Sequence, residues 1–241
     1  MVSGIDSFRD WFRGFESNYV VIGGTACDLL MGEAGETFRA TRDIDMVLIV
    51  EALSADFGSR LWEYVKIAGY EQRFKSTGAP EYYRFINPKM QEYPAMIELF
   101  SRRVEGIALP PDAVLSPLTI DDEVSSLSAI LLDTDYYDFL RSGAALADGI
   151  PVLGAAHLIP LKAKAWLDLT RRKAGGDHVD SKNIRKHKND IIRLSTLLSP
   201  ELKITLPDTI IADMETFLAS VDDVDSLFRV SAAYNLLGVT L

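Results

Sequence analysis

Only one cysteine, Cys27, occurs among the 241 residues. No internal disulfide can form, and a reducing cytoplasm is the expected setting. Cys27 lies in an apolar stretch, where a thiol behaves as a small buried hydrophobe. Long apolar runs are missing too. No stretch approaches the ~18 residues that a bilayer-spanning helix needs, so no membrane association is expected. Met1 to Arg13 has no apolar run behind basic residues, and no signal peptide is expected there. Histidine is scarce: His157, His178 and His187 match no metal-ligand spacing and read as surface or capping residues. Internal repeats and low-complexity tracts are absent.

Positive charge is also in deficit, with 25 Lys and Arg against 35 Asp and Glu, a net charge of −10. That balance argues against broad nonspecific binding to nucleic acid. The cations are concentrated, however. Lys162 to Arg193 holds ten Lys or Arg and four Asp, a local balance of +6, which leaves about −16 on the rest of the chain. Such a segment is either the seat of a local anionic ligand or a solvated basic helix face.

What is present is an ordinary globular composition, 48% hydrophobic and 25% charged, with enough chain for one large domain or two modest ones. The pattern predicts a short helix over Phe8–Phe15, a strand over Tyr19–Ile22 broken by Gly23-Gly24, and a helix from Thr25 to Met31. A polar loop, Gly32–Thr41, leads into a buried strand over Ile44–Val50. Ser54–Gly69 has helical periodicity with Gly69 as its stop. Strands follow over Tyr82–Ile86 and Ala95–Phe100, joined through Pro88–Pro94 as a hairpin. Val104–Pro117 is proline-rich and irregular. A further strand is expected over Leu127–Leu132, then Asp133 as the cap of a helix over Thr134–Ala147, and a short extended piece over Gly149–Gly154. Helices complete the chain: Ala156–Arg172, Ser181–Leu198 capped by Ser181, Pro207–Val221 and Asp223–Leu237. The expected fold class is α+β, with a mixed sheet and flanking helices over residues 1–150 and a helical domain over residues 151–241.

The chemistry-bearing residues cluster in the head. Side chains alternate along a strand, so Asp43 and Asp45 share one face while Ile44 turns to the core. Two adjacent carboxylates repel unless a cation lies between them, and a hard divalent ion such as Mg²⁺ or Mn²⁺ suits that donor set. Taken alone, the pair is either a metal site or a solvated strand end. Glu98 is a lone acid inside the apolar strand "MIELF", and a buried carboxylate needs a partner. Gly23-Gly24 lets the backbone approach a phosphate, with the next helix's free N–H groups facing the anion, and Thr25 could add a hydroxyl. A simple tight turn is the other reading of the glycines. Arg39 and Arg84 are each open to a phosphate contact or a structural ion pair. Trp62, Tyr64, Tyr82 and Tyr83 read as core or rim residues rather than base-stacking platforms.

The order "GGTACDLL", "TRDIDMVLIV", "MIELF" resembles the nucleotidyltransferase superfamily with the polymerase-β-type core. The stretch "PLKAKAWLDLTRRK…HVDSKNIRKHKNDIIRL" is similar to AbiEii/AbiGii-type toxin nucleotidyltransferases and their bacterial relatives. The resemblance spans roughly residues 18–195. It implies a nucleotidyltransferase-like fold and Mg²⁺-dependent transfer of a nucleotidyl group from an NTP such as ATP to an acceptor. A tRNA 3′ end, a protein hydroxyl and a small molecule are the acceptors it suggests, and an antitoxin is a possible partner. It implies metal ligation by Asp43, Asp45 and Glu98, and a helical Lys162 (or Lys164) with Asp190 completing the site. Lys186 lies one helical turn from Asp190, so the two could also form a plain surface salt bridge.

Overall fold

A computed structural model describes residues 2–74, 82–100, 130–131, 133–221 and 224–236. The expected irregular segment Val104–Pro117 lies outside them, as does most of the expected strand Leu127–Leu132. The described residues of that strand, Ile130 and Leu131, are helical.

The chain forms two compact units. The first is built on a seven-stranded mixed sheet with the strand order β3-β4-β5-β2-β1-β7-β6. Its strands are β1 (Tyr19–Ile22), β2 (Asp43–Leu48), β3 (Glu71–Phe74), β4 (Tyr82–Ile86), β5 (Met96–Phe100), β6 (Ala144–Ala147) and β7 (Ile150–Leu153). β2 is the middle strand, antiparallel to β1 and parallel to β5. Its sequence explains that place. After Asp43 and Asp45 it carries only apolar side chains, Met46, Val47 and Leu48, all buried, as a strand covered on both faces requires.

Three helices belong to this unit: α1 (Ile5–Trp11), α2 (Gly23–Glu33) and α3 (Ala55–Ala68). The Ser54 hydroxyl caps α3 by accepting from the Phe57 amide, and Gly69 ends it in the left-handed conformation at φ +67°. Phe57, Leu61, Tyr64 and Val65 recur at helical spacing and are buried. Phe57 and Tyr64 join Phe8, Phe12 and Tyr19 in an aromatic cluster in which Tyr19 stacks on Phe57 and the other rings meet edge-on or tilted.

The second unit is helical: α4 (Thr134–Ser142), α5 (Ala155–Ala174), α6 (Ser181–Ser195), α7 (Asp208–Ala219) and α8 (Val224–Ala233). Asp133 caps α4 as its sequence position suggests. The cap of α6 is Asp180, not Ser181: its carboxylate accepts from the Lys182 amide. α5 contains Pro160, which has no N–H for the Ala156 carbonyl one turn back. The Tyr234 hydroxyl donates to that carbonyl instead, at 2.6 Å, and both groups are buried.

Two further departures from the sequence reading concern strands. The expected helix over Thr134–Ala147 ends at Ser142, and Ala144–Ala147 pairs antiparallel with Ile150–Leu153 around a left-handed Asp148-Gly149 turn. That hairpin joins the sheet of the first unit, so β7 lies parallel to β1. β3 was not expected either. Glu71–Phe74 shows no period-2 pattern of its own, and its pairing with β4 defines it.

Candidate active site

The site begins with strand register. Asp43 and Asp45 are two apart on β2 and share a face, and both are half-buried while Ile44 between them is fully buried. Parallel pairing sets Asp45 opposite Glu98 on β5. Directly paired residues on neighbouring strands lie on one face, so all three acids stand on the same side of the sheet. On its other flank Asp45 pairs with Ile22, the last residue of β1.

The chain turns into α2 immediately after Ile22. Gly23 has φ +68°, the left-handed region that glycine enters without strain. A Cβ at Gly23 would collide with Oδ2 of Asp45. At Gly24 a Cβ would stand 2.8 Å from Thr41 Oγ1 and 3.2 Å from Arg39 Nη2. The double glycine therefore brings the bare backbone against an acid, a hydroxyl and a guanidinium. No side chain caps α2, and the first amides of an uncapped helix favour an anion. Thr25 plays a different part here. It is fully buried, and its hydroxyl donates to the Asp43 carbonyl at 2.5 Å, tying the first turn of α2 to the start of β2. Thr41 is the residue of this corner that the sequence reading passed over, although it stands in "TRDID".

Arg84, in the middle of β4, pairs in register with Glu98. Its Nε and Nη2 both donate to Glu98 Oε1, at 2.7 and 2.6 Å. Glu98 is only 6% exposed, so the guanidinium supplies the partner that a buried carboxylate requires.

A hard divalent ion asks for oxygen donors. Asp43 and Asp45 fit one: two half-buried carboxylates on one face, beside a glycine turn whose bare backbone abuts Asp45. Among the described residues no three His, Cys, Asp or Glu side chains are grouped closely enough to hold an ion by themselves.

The remaining sequence candidates belong to the helical unit. Lys162 Nζ donates to Asp190 Oδ2 at 2.9 Å, and the two side chains are 6% and 1% exposed. Asp190 is therefore a buried partner of Lys162, and the surface salt-bridge reading of Lys186 and Asp190 is corrected by that burial. Lys164 instead meets Asp213 at 2.7 Å, above the ring of Tyr136, whose hydroxyl donates to the same carboxylate. Asp213 carries no signal in its own stretch of sequence; only tertiary packing of α7 against α5 reveals it. His187 is buried rather than a surface residue, since it shares the inward face of α6 with Asp190, Ile191 and Leu194. His157 is half-buried against the Phe139 ring, which lowers its pKa by desolvation. His178 is exposed. Tyr64 is core, while the side chains of Tyr82 and Tyr83 lie outside the described residues. Among the described residues no helix is long and apolar enough to cross a membrane.

The chain is similar to the crystal structure of an antigenic nucleotidyltransferase-like protein from Paracoccidioides brasiliensis. The two align over 96% of this chain and 94% of the other, with 15% identity and a TM-score of 0.51. The fold is thus α+β and nucleotidyltransferase-like. No known family's sequence model matches the chain, and no curated protein is significantly similar to it.

Proposed function

We propose that this protein is a nucleotidyltransferase that moves an NMP group from an NTP to an acceptor hydroxyl with the help of a divalent ion. The observation that carries this reading is the corner where Gly23 abuts Asp45. There an uncapped helix start, a bare glycine turn and two carboxylates on one strand face converge within the first unit. A phosphate chain and an ion need those features side by side.

In this reading Asp43 and Asp45 hold Mg²⁺ or Mn²⁺. The bound ion would neutralise charge on the triphosphate and on the departing pyrophosphate. Gly23 and Gly24 let the phosphates approach the first amides of α2. Arg39, whose guanidinium lies beside Gly24, adds positive charge to the same oxygens. The acceptor oxygen attacks the α-phosphorus, its proton passing to solvent, as the bond to the bridging oxygen breaks and pyrophosphate leaves. All of these groups lie in the first unit. Lys162, Lys164, Lys186 and Asp190 lie in the second, and the proposal does not require them.

The resemblance noted in the sequence extends the proposal to an acceptor that is a tRNA 3′ end, a protein hydroxyl or a small molecule, and to a toxin's place beside an antitoxin. Incubation with each α-labelled NTP, Mg²⁺ and cellular RNA or protein tests both parts. Pyrophosphate release with label in one fraction supports transfer and names the acceptor class; no release with any NTP counts against it. One observation favours a second reading, a nucleotide-binding module without turnover: the third acid, Glu98, is already committed to Arg84. NTP binding without pyrophosphate release would mark that alternative.

A further inference from the structure

We infer that Arg84 holds Glu98 out of metal coordination, so that this site takes one divalent ion, on Asp43 and Asp45, and not a pair of ions shared among three carboxylates. The inference rests on reading this face of the sheet as a metal–nucleotide site.

Geometry is the first support. Both Nε and Nη2 of Arg84 grip a single oxygen of Glu98, at 2.7 and 2.6 Å. Register fixes the two backbones: Arg84 pairs with Glu98 on β4 and β5, as Glu98 pairs with Asp45 on β5 and β2. The guanidinium is thus built into the sheet beside its carboxylate. Depth is the second support. The Glu98 side chain is 8% exposed, whereas Arg84, Asp43 and Asp45 are all half-buried. Solvated ions reach the aspartates more readily than Glu98. Charge is the third. An ion ligated by Glu98 would stand next to a guanidinium of the same sign in a poorly solvated place, or would have to expel it and leave a buried cation without its carboxylate. Consistent with this, no three acids among the described residues are grouped as a ready ligand set. Arg84 is accordingly a positioning residue: it neutralises and fixes Glu98 and is not itself a phosphate ligand.

The test is a count of ions. Mn²⁺ bound per protein is measured by electron paramagnetic resonance on the full chain with a saturating, non-hydrolysable NTP analogue. The expected result is one ion in the wild type and loss of Mn²⁺ binding in Asp45→Asn. The double variant Arg84→Met/Glu98→Gln replaces the charged pair by a neutral one and is expected to bind one ion as well. Two ions in the wild type, or Mn²⁺ affinity at least about tenfold weaker in the double variant than in the wild type, would overturn the inference alone. No Mn²⁺ in the wild type, or normal binding in Asp45→Asn, would overturn it together with the reading of the site beneath it.

Discussion

Gly23 and Asp45 occupy one another's contact shell: a Cβ on the glycine would run into the Oδ2 of the aspartate. A residue that ends one strand's turn and a residue near the start of the next are thereby locked together across an antiparallel pair. Gly23→Ala should therefore act twice. Alanine is strained at φ +68°, which costs ~1–2 kcal/mol, and the added methyl must push the carboxylate aside. Urea unfolding should show the loss of stability, and pyrophosphate release should fall by at least about tenfold, since a small misplacement at a reacting centre is costly.

The Lys162–Asp190 pair gives a second expectation. Both side chains are almost fully buried, so removing one partner leaves an uncompensated charge, which costs ~3–5 kcal/mol. Lys162→Met and Asp190→Leu should each lower the unfolding free energy by that order. The double variant should recover most of the loss. Additive losses in the double variant would show that the two residues are not energetically coupled.

Pro160 and Tyr234 supply a third. The proline deprives the Ala156 carbonyl of its helical donor, and the tyrosine hydroxyl replaces it. Tyr234→Phe should cost ~1–3 kcal/mol by orphaning that buried carbonyl. In a Pro160→Ala background, the restored N–H should make the same substitution markedly cheaper. Equal costs in both backgrounds would contradict the account.

His157 gives a dependence on pH. Burial lowers its pKa from the ordinary 6.5, so the folded protein resists taking up that proton. The unfolded chain accepts it first. This contribution is constant above about pH 6.5 and makes stability decline as the pH falls from there toward the lower folded value. Urea midpoints measured across that window should drop less steeply in His157→Gln than in the wild type.

Much of the head was legible because its signals are local. Asp43-Ile44-Asp45 reads directly as alternation along a strand, and the observed exposure of its three residues follows that alternation. Ser54 and Gly69 mark the two ends of α3 by cap chemistry alone. What escaped depends on partners distant in sequence. β6 reads as a helix tail because Ala144 and Ala145 suit either state, and only pairing with β7 decides. Arg84 could be weighed as an ion-pair partner but not assigned to one, because the register of β4 against β5 joins it to Glu98. The Lys164–Asp213–Tyr136 contacts join residues 28 to 77 positions apart only through helix packing.

The most direct test of the central claim is pyrophosphate release by Asp45→Asn, assayed with Mg²⁺ and each NTP at matched concentrations of folded protein. A drop of more than ~100-fold with an unchanged urea midpoint is expected if this carboxylate holds the ion at the glycine turn. Wild-type release from the folded variant would contradict the claim.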